Sequence, residues 1–125
     1  MGTDSPRRGE VWLTPFPMPS RDQAQSKLRP VLVVSTATPE QTNGTVTCAA
    51  ISSATYRLTE FDIPAAAQTR LGHAMGLKRD GAIFCAILQT TSVAQLVRKI
   101  GSIDAGTQSR VDANLRKLLF PAPPA

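Results

Sequence analysis

The chain is short of the residue types from which most metal and cofactor sites are built. A single histidine, His73, and two cysteines, Cys48 and Cys85, are all it carries of the strongest metal ligands. That is too few for a four-ligand structural zinc site. It has no Walker-type loop, no glycine-rich dinucleotide turn and no pair of histidines at helical spacing, so the reading assigns it no metal and no cofactor. No apolar run approaches bilayer length. The stretch Met1-Gly2-Thr3-Asp4-Ser5-Pro6-Arg7-Arg8 lacks the apolar segment of a secretory signal. These absences predict a cytoplasmic protein without membrane contact, in which the two cysteines stay reduced as small buried thiols. Aromatic residues make up only 5% of the chain, so Trp12 stands out as a large anchor for a core or a groove.

Charge of one sign is plentiful. Fourteen basic against nine acidic side chains give a net charge of +5, which favours a polyanionic partner and its rapid electrostatic capture. At 125 residues with 42% apolar content, one globular domain spanning 1–125 is expected, with 1–6 and the proline-rich 121–125 as flexible tails.

Short strands separated by turn signals predict a mainly β fold. The first is Gly9-Glu10-Val11-Trp12-Leu13-Thr14-Pro15-Phe16, followed by a long polar loop from Pro17 to Leu28, a length often associated with function. Pro30 to Ser35 forms the second strand. Asn43-Gly44 is the sharpest turn signal, and Thr45 to Ile51 supplies a third strand. Tyr56 to Ile63 reads as a fourth strand stopped by Pro64. Ala65 to Leu71 reads as a short helix broken by Gly72-His73-Ala74-Met75-Gly76. The nearly unbroken apolar run Ala82 to Leu88 is a central strand. Val93 to Ile100 is either a short helix or a strand lead-in. Asp104 is placed to cap a closing helix whose apolar stripe is Val111, Leu115, Leu118 and Leu119. Five strands and a terminal amphipathic helix suggest a small twisted barrel with a helix packed on it.

With the usual machinery missing, arginine and hydroxyl groups remain. Pro30 fixes where the second strand starts, because proline cannot donate a ladder hydrogen bond. It also holds Arg29 extended at the loop–strand junction. Ser52-Ser53 leaves the third strand. An arginine fork and a serine hydroxyl together can grip a phosphodiester. RNA brings its own nucleophile, the 2′-hydroxyl, so positioning and charge stabilisation alone can accelerate its cleavage. Equally, Ser52 can be a strand-end cap that bonds backbone.

As an ordered set, Arg8-Gly9-Glu10-Val11-Trp12, Leu28-Arg29-Pro30-Val31-Leu32-Val33-Val34-Ser35, Ala49-Ala50-Ile51-Ser52-Ser53, Gly76-Leu77-Lys78-Arg79-Asp80-Gly81 and Arg98-Lys99-Ile100-Gly101-Ser102-Ile103 resembles the PemK/MazF family of toxin endoribonucleases. The resemblance runs from about Arg8 to Leu119. It implies an SH3-like barrel of the CcdB/MazF kind with a C-terminal helix. It also implies a homodimer and metal-independent, sequence-selective cleavage of single-stranded RNA to 2′,3′-cyclic phosphate and 5′-hydroxyl ends. It places the essential arginine on Arg29 and the essential hydroxyl on Ser52. Arg21, Gln25, Lys27, Ser53, Arg79 and Gln89 become expected substrate contacts, with Trp12, Pro30 and Asp80 supporting. The expected partners are single-stranded RNA and a cognate antitoxin whose acidic, disordered tail folds onto the basic groove.

Some positions depart from the family pattern. Ala24 stands where many members carry a glutamate before Gln25. Ala86, Ile87 and Gln89 stand where many carry an acidic or amide residue and then an arginine. These changes keep open a non-catalytic RNA- or protein-binding module on the same fold. A gyrase-poisoning toxin of the CcdB kind is the remaining alternative, but that activity relies on an aromatic C-terminal tip and this chain ends Phe120-Pro121-Ala122-Pro123-Pro124-Ala125.

Overall fold

A computed structural model describes residues 5–15 and 27–122. The backbone forms six strands and two helices: β1 (Glu10–Pro15), β2 (Leu28–Val33), β3 (Thr45–Ser52), β4 (Ile63–Ala65), α1 (Arg70–Met75), β5 (Gly81–Ser92), β6 (Arg98–Ser102) and α2 (Ala105–Leu119). The strands make one antiparallel sheet in the order β4-β5-β3-β2-β1-β6. The sheet is curled into a half-barrel, closed off by α2. Two register shifts accompany the curl. In β1 the shift lies between Val11 and Trp12 opposite β6, and in β3 it lies between Ala49 and Ala50, where the β5 partner jumps from Leu88 to Phe84. Such bulges bend a strand and increase its twist.

Both faces of the sheet are covered, which explains why β2 reads as an unbroken apolar run. Val31, Leu32 and Val33 are all buried, but they serve two cores. Leu32 joins Val11, Ala49, Ile51, Ile63, Met75, Ile83, Cys85 and Val111 on the side that α2 covers. Val31 and Val33 pack with Val46, Cys48, Ala50, Phe84 and Leu96 on the other, with Trp12 against them. This is the period-two alternation of a strand.

Most sequence-based elements hold, with five corrections. The second strand begins at Leu28 and ends at Val33, so Pro30 does not fix its start; it lies inside the strand, opposite Leu13. The sheet has six strands among the described residues, where five were expected, because Val93 to Ile100 divides into a short 3₁₀ turn (Val93–Gln95) and β6. Tyr56 to Ile63 is not a strand. Thr55–Arg57 is a 3₁₀ turn, and Asp62 binds the N–H and hydroxyl of Thr59, which closes a polar turn. Pro64 does not stop a strand; it sits within β4, an edge strand where its missing N–H costs no ladder bond. The short helix lies five residues later than expected, over Arg70–Met75. There Thr69 caps the start by accepting the Gly72 N–H at 3.1 Å, and Gly76 ends the helix at φ +76°. Gly72 is therefore part of the helix rather than its breaker.

The closing helix begins where expected, with Asp104 accepting the Thr107 N–H at 2.6 Å. Its stripe reaches the core only through Val111 and Leu115; Leu118 is half-buried and Leu119 is 56% exposed. The helix thus carries its last turn past its packing surface. The Asn43-Gly44 turn forms as read, with both residues at positive φ. Gly101 lets β6 approach α1: a Cβ there would stand 2.2 Å from the Ala74 carbonyl oxygen.

Candidate active site

One end of the sheet gathers several strand termini. β2 begins there, β3 and β1 end, and β5 and β6 begin. Antiparallel pairing puts Val31 opposite Ala50, Leu32 opposite Ala49 and Val33 opposite Cys48. The β2–β3 ladder ends at the Val31–Ala50 pair; two residues further along each strand, Arg29 and Ser52 stand at matching positions and both line the same cleft. On its other flank Arg29 pairs with Thr14, whose buried hydroxyl donates to the Gln95 carbonyl at 2.9 Å. The arginine therefore springs from backbone held by the β1 ladder.

A cleft of about 490 Å³ opens at this end of the sheet. Leu13, Ile51, Leu77 and Ile100 give it an apolar lining, and Lys27, Arg29, Lys78, Arg79 and Arg98 add five cations. Its one acidic lining residue, Asp80, accepts the Ala67 N–H at 2.8 Å and so ties the α1–β5 connection to the segment before α1. Among the described residues the ion pairs are Arg8–Asp112 and Lys99–Glu10, both away from the cleft. The five cleft cations have no carboxylate partner among those residues, which leaves a strongly positive recess suited to an anion.

Ser52 Oγ accepts the Ala54 N–H at 3.1 Å. This is the capping role, and it leaves the hydroxyl proton free to donate elsewhere. The two readings of Ser52 are thus compatible. The cap holds the oxygen, and the proton remains available to a bound phosphate.

Several expected site residues meet here: Arg29, Ser52, Lys27, Ser53, Arg79, Pro30 and Asp80 all line the cleft. Arg21, Gln25 and Ala24 lie outside the described residues. Gln89 is not brought to the cleft. It lies beyond the β5 bulge, opposite Cys48, because the register jump carries the far half of that strand away from this end. Ala86 and Ile87 fall in the bulge itself, with Ala86 exposed and Ile87 against the second core. Trp12 also lies off the cleft. It packs on the second core and donates its indole N–H to Glu10 Oε1 at 3.0 Å. Partial burial alone would raise the Glu10 pKa, but bonds from the Arg7 N–H, the indole and Lys99 outweigh it and lower the value.

Two cleft cations, Lys78 and Arg98, stood in the matching segments but were not among the expected substrate contacts. The only signal for Arg98 was its alternation with Lys99 in a strand, which sends neighbouring side chains to opposite faces. His73 is exposed on α1 and away from the cleft. Cys48 and Cys85 are buried and unpaired, as expected. Burial pushes the Cys48 thiol up to about 12. Burial, helped by the nearby Asp62 charge and partly offset by a bond with Asn114, pushes Cys85 up to about 11. Among the described residues no three His, Cys, Asp or Glu side chains cluster as metal ligands, and no helix is long and apolar enough to cross a membrane.

A family model described as PemK-like, MazF-like toxin of type II toxin-antitoxin system matches residues 7–119. Solved structures share the fold. A MazE–MazF complex from Deinococcus radiodurans aligns with a TM-score of 0.70 at 17% identity, covering 96% of this chain and 100% of that one. The Mycobacterium tuberculosis toxin MazF-mt6 aligns at 0.65 and 21% identity, covering 86% and 93%. An endoribonuclease in complex with its cognate antitoxin, from a mycobacterial species, aligns at 0.67 and 17% identity, covering 94% and 99%. No curated protein matches the chain.

Proposed function

This chain belongs to the PemK-like, MazF-like toxin family of type II toxin–antitoxin systems, and on that premise we propose that it cuts single-stranded RNA at the cleft between Arg29 and Ser52. The observation that carries the reading is that these two residues line one recess with five cations and one engaged carboxylate. In the reaction the substrate's 2′-oxygen attacks the adjacent phosphorus and the bond to the 5′-oxygen breaks. The 2′-hydroxyl loses a proton and the departing 5′-oxygen gains one, so the products are a 2′,3′-cyclic phosphate and a 5′-hydroxyl. Arg29 supplies a permanently charged, planar fork to two phosphate oxygens. The Ser52 hydroxyl, its oxygen held by the Ala54 N–H, donates to the charge that develops on the phosphorane. Lys27, Lys78, Arg79 and Arg98 guide neighbouring phosphates. No metal is required by this scheme, and selectivity among sequences comes from base contacts in the unpaired strand.

Neighbouring structures that hold toxin together with antitoxin support a second element of the proposal. The acidic tail of a cognate antitoxin occupies the same basic recess and silences it. The active form is a homodimer acting on RNA in the cytoplasm.

The decisive experiment incubates purified protein with a long unstructured RNA in EDTA and maps the fragment ends. Discrete cuts bearing cyclic-phosphate ends, absent from a folded Arg29→Ala variant, are expected. Full cleavage by Arg29→Ala would remove the central claim. Retardation of RNA without products would instead identify a binding module on this fold.

A further inference from the structure

Tyr56 is the chain's only tyrosine, and it is 86% exposed. Other rings in the described residues are accounted for by packing or distance. Phe84 is buried, Phe61 and Trp12 pack against the two cores, and Phe120 follows the last turn of α2. Tyr56 packs into neither core, yet its backbone is firmly placed. The Ala54 N–H bonds to Ser52 Oγ at 3.1 Å, the Thr55 N–H to the Ser53 carbonyl at 2.8 Å and the Arg57 N–H to the Ala54 carbonyl at 3.2 Å. These bonds staple the Thr55–Arg57 turn to the end of β3, at the two serines that line the cleft. Four residues of backbone span at most about 14 Å when fully extended, and this segment is coiled, so the Tyr56 Cα lies within that distance of Ser52 in the cleft lining. Arg57, also exposed, follows it directly.

A solvent-facing aromatic on a backbone-fixed turn, near a cationic track, is an arrangement by which proteins hold unpaired bases: the phosphates follow the cations and a base stacks on the ring. We propose that Tyr56 is a stacking platform for a nucleobase flanking the phosphate held at Arg29 and Ser52. The inference rests on the ribonuclease reading and deepens it by assigning a base contact outside the phosphate site. The ring gives affinity and fixes which nucleotide enters the cleft, while bond breaking remains with Arg29 and Ser52.

Because the chain has one tyrosine, selective labelling of tyrosine ring carbons reports on Tyr56 alone. The probe is a short single-stranded RNA spanning the cut site, with a 2′-deoxy sugar at the attacked position so that it binds without being cleaved. Its addition to wild-type protein is expected to shift the ring resonances by ring-current effects. Tyr56→Ala is expected to weaken binding by roughly 5- to 150-fold, the range found when a stacked aromatic is removed. Tyr56→Phe and Tyr56→Trp should keep the affinity, and Tyr56→Leu should not, since an aliphatic side chain has no π-face. Tm should be unchanged throughout. If wild-type protein cuts RNA and Arg29→Ala does not, but the tyrosine resonances stay still and Tyr56→Ala binds normally, the stacking role is overturned while the ribonuclease reading stands. Loss of antitoxin binding in Tyr56→Ala with unchanged RNA affinity would place the ring on a protein interface and equally overturn it. Wild-type protein that neither binds nor cuts RNA would overturn both.

Discussion

Replacing Ser52 separates its two roles by magnitude. In Ser52→Ala the Ala54 N–H loses the acceptor it has at 3.1 Å. The site is half-buried, so water replaces that acceptor only in part, and a cost of about 1 kcal/mol is expected. With an unfolding entropy of about 2 cal/mol/K per residue over 125 residues, this lowers Tm by about 4 °C. Losing a donor to the transition state is larger: removal of one such hydrogen bond typically slows the chemical step by about two orders of magnitude. Ser52→Thr restores the hydroxyl on a β-branched residue suited to a strand end, so both rate and Tm should return close to wild type. Arg29 and Ser52 line one cleft; on the proposal that both act on one phosphate, the double variant Arg29→Ala/Ser52→Ala should lose far less than the product of the single losses. The assay is single-turnover cleavage of an end-labelled RNA at saturating protein, run beside thermal unfolding of each variant. A Ser52→Ala variant with a lowered Tm and the wild-type rate would reduce Ser52 to a cap. Multiplicative losses in the double variant would show that the two residues do not share a phosphate.

For RNA binding, each phosphate neutralised on a single strand contributes about −0.7 to the slope of log affinity against log salt. The five cleft cations therefore limit their joint slope to about −3.5, and Arg98→Ala should make it shallower by about 0.7; an unchanged slope would place Arg98 outside the RNA path. Gly101→Ala would drive a Cβ to 2.2 Å from the Ala74 carbonyl oxygen and 2.5 Å from the Met75 carbonyl carbon. Both are backbone atoms, so α1 must shift, and urea unfolding should show a loss of about 1–3 kcal/mol. The folded-state pKa values of Glu10 and Asp112 lie below 4.5 and 3.8, their ordinary values. For Asp112, burial is outweighed by bonds from Arg8 and Gln108. The stability these carboxylates confer is complete above those ordinary values and is lost as pH falls through the lowered ones. Unfolding free energy should hold steady from pH 7 to about 5 and then drop on acidification, and Glu10→Gln should begin less stable and drop less; a drop as steep as in wild type would discharge Glu10 from that role.

The alternation and turn chemistry of single segments determined much of this protein. Pro30 to Val33 is the apolar run of β2, Asn43-Gly44 the turn before β3, Ala82 to Leu88 the heart of β5, and Asp104 the cap of α2. These signals are local, carried by backbone preferences and by which face of an element must be buried, and residues within reach of one another in sequence suffice to express them. The cleft positions of Arg29 and Ser52 were legible for the same reason, since each lies near the end of a segment, whereas Asp80 was expected only from the family resemblance. Tertiary structure decided the rest. Bulges opposite Ala49–Ala50 and at Val11–Trp12 set where the sheet bends. The first carries Gln89 away from the cleft, although its sequence neighbours run straight out of the central strand. Arg98 reaches the cleft only because β6 pairs with β1, a partner more than eighty residues away in sequence. Leu119 fits the apolar stripe of α2 yet lies in solvent, because the packing surface ends before the helix does. Long-range pairing and the extent of a core are properties of the folded ensemble of contacts, and no single segment encodes either.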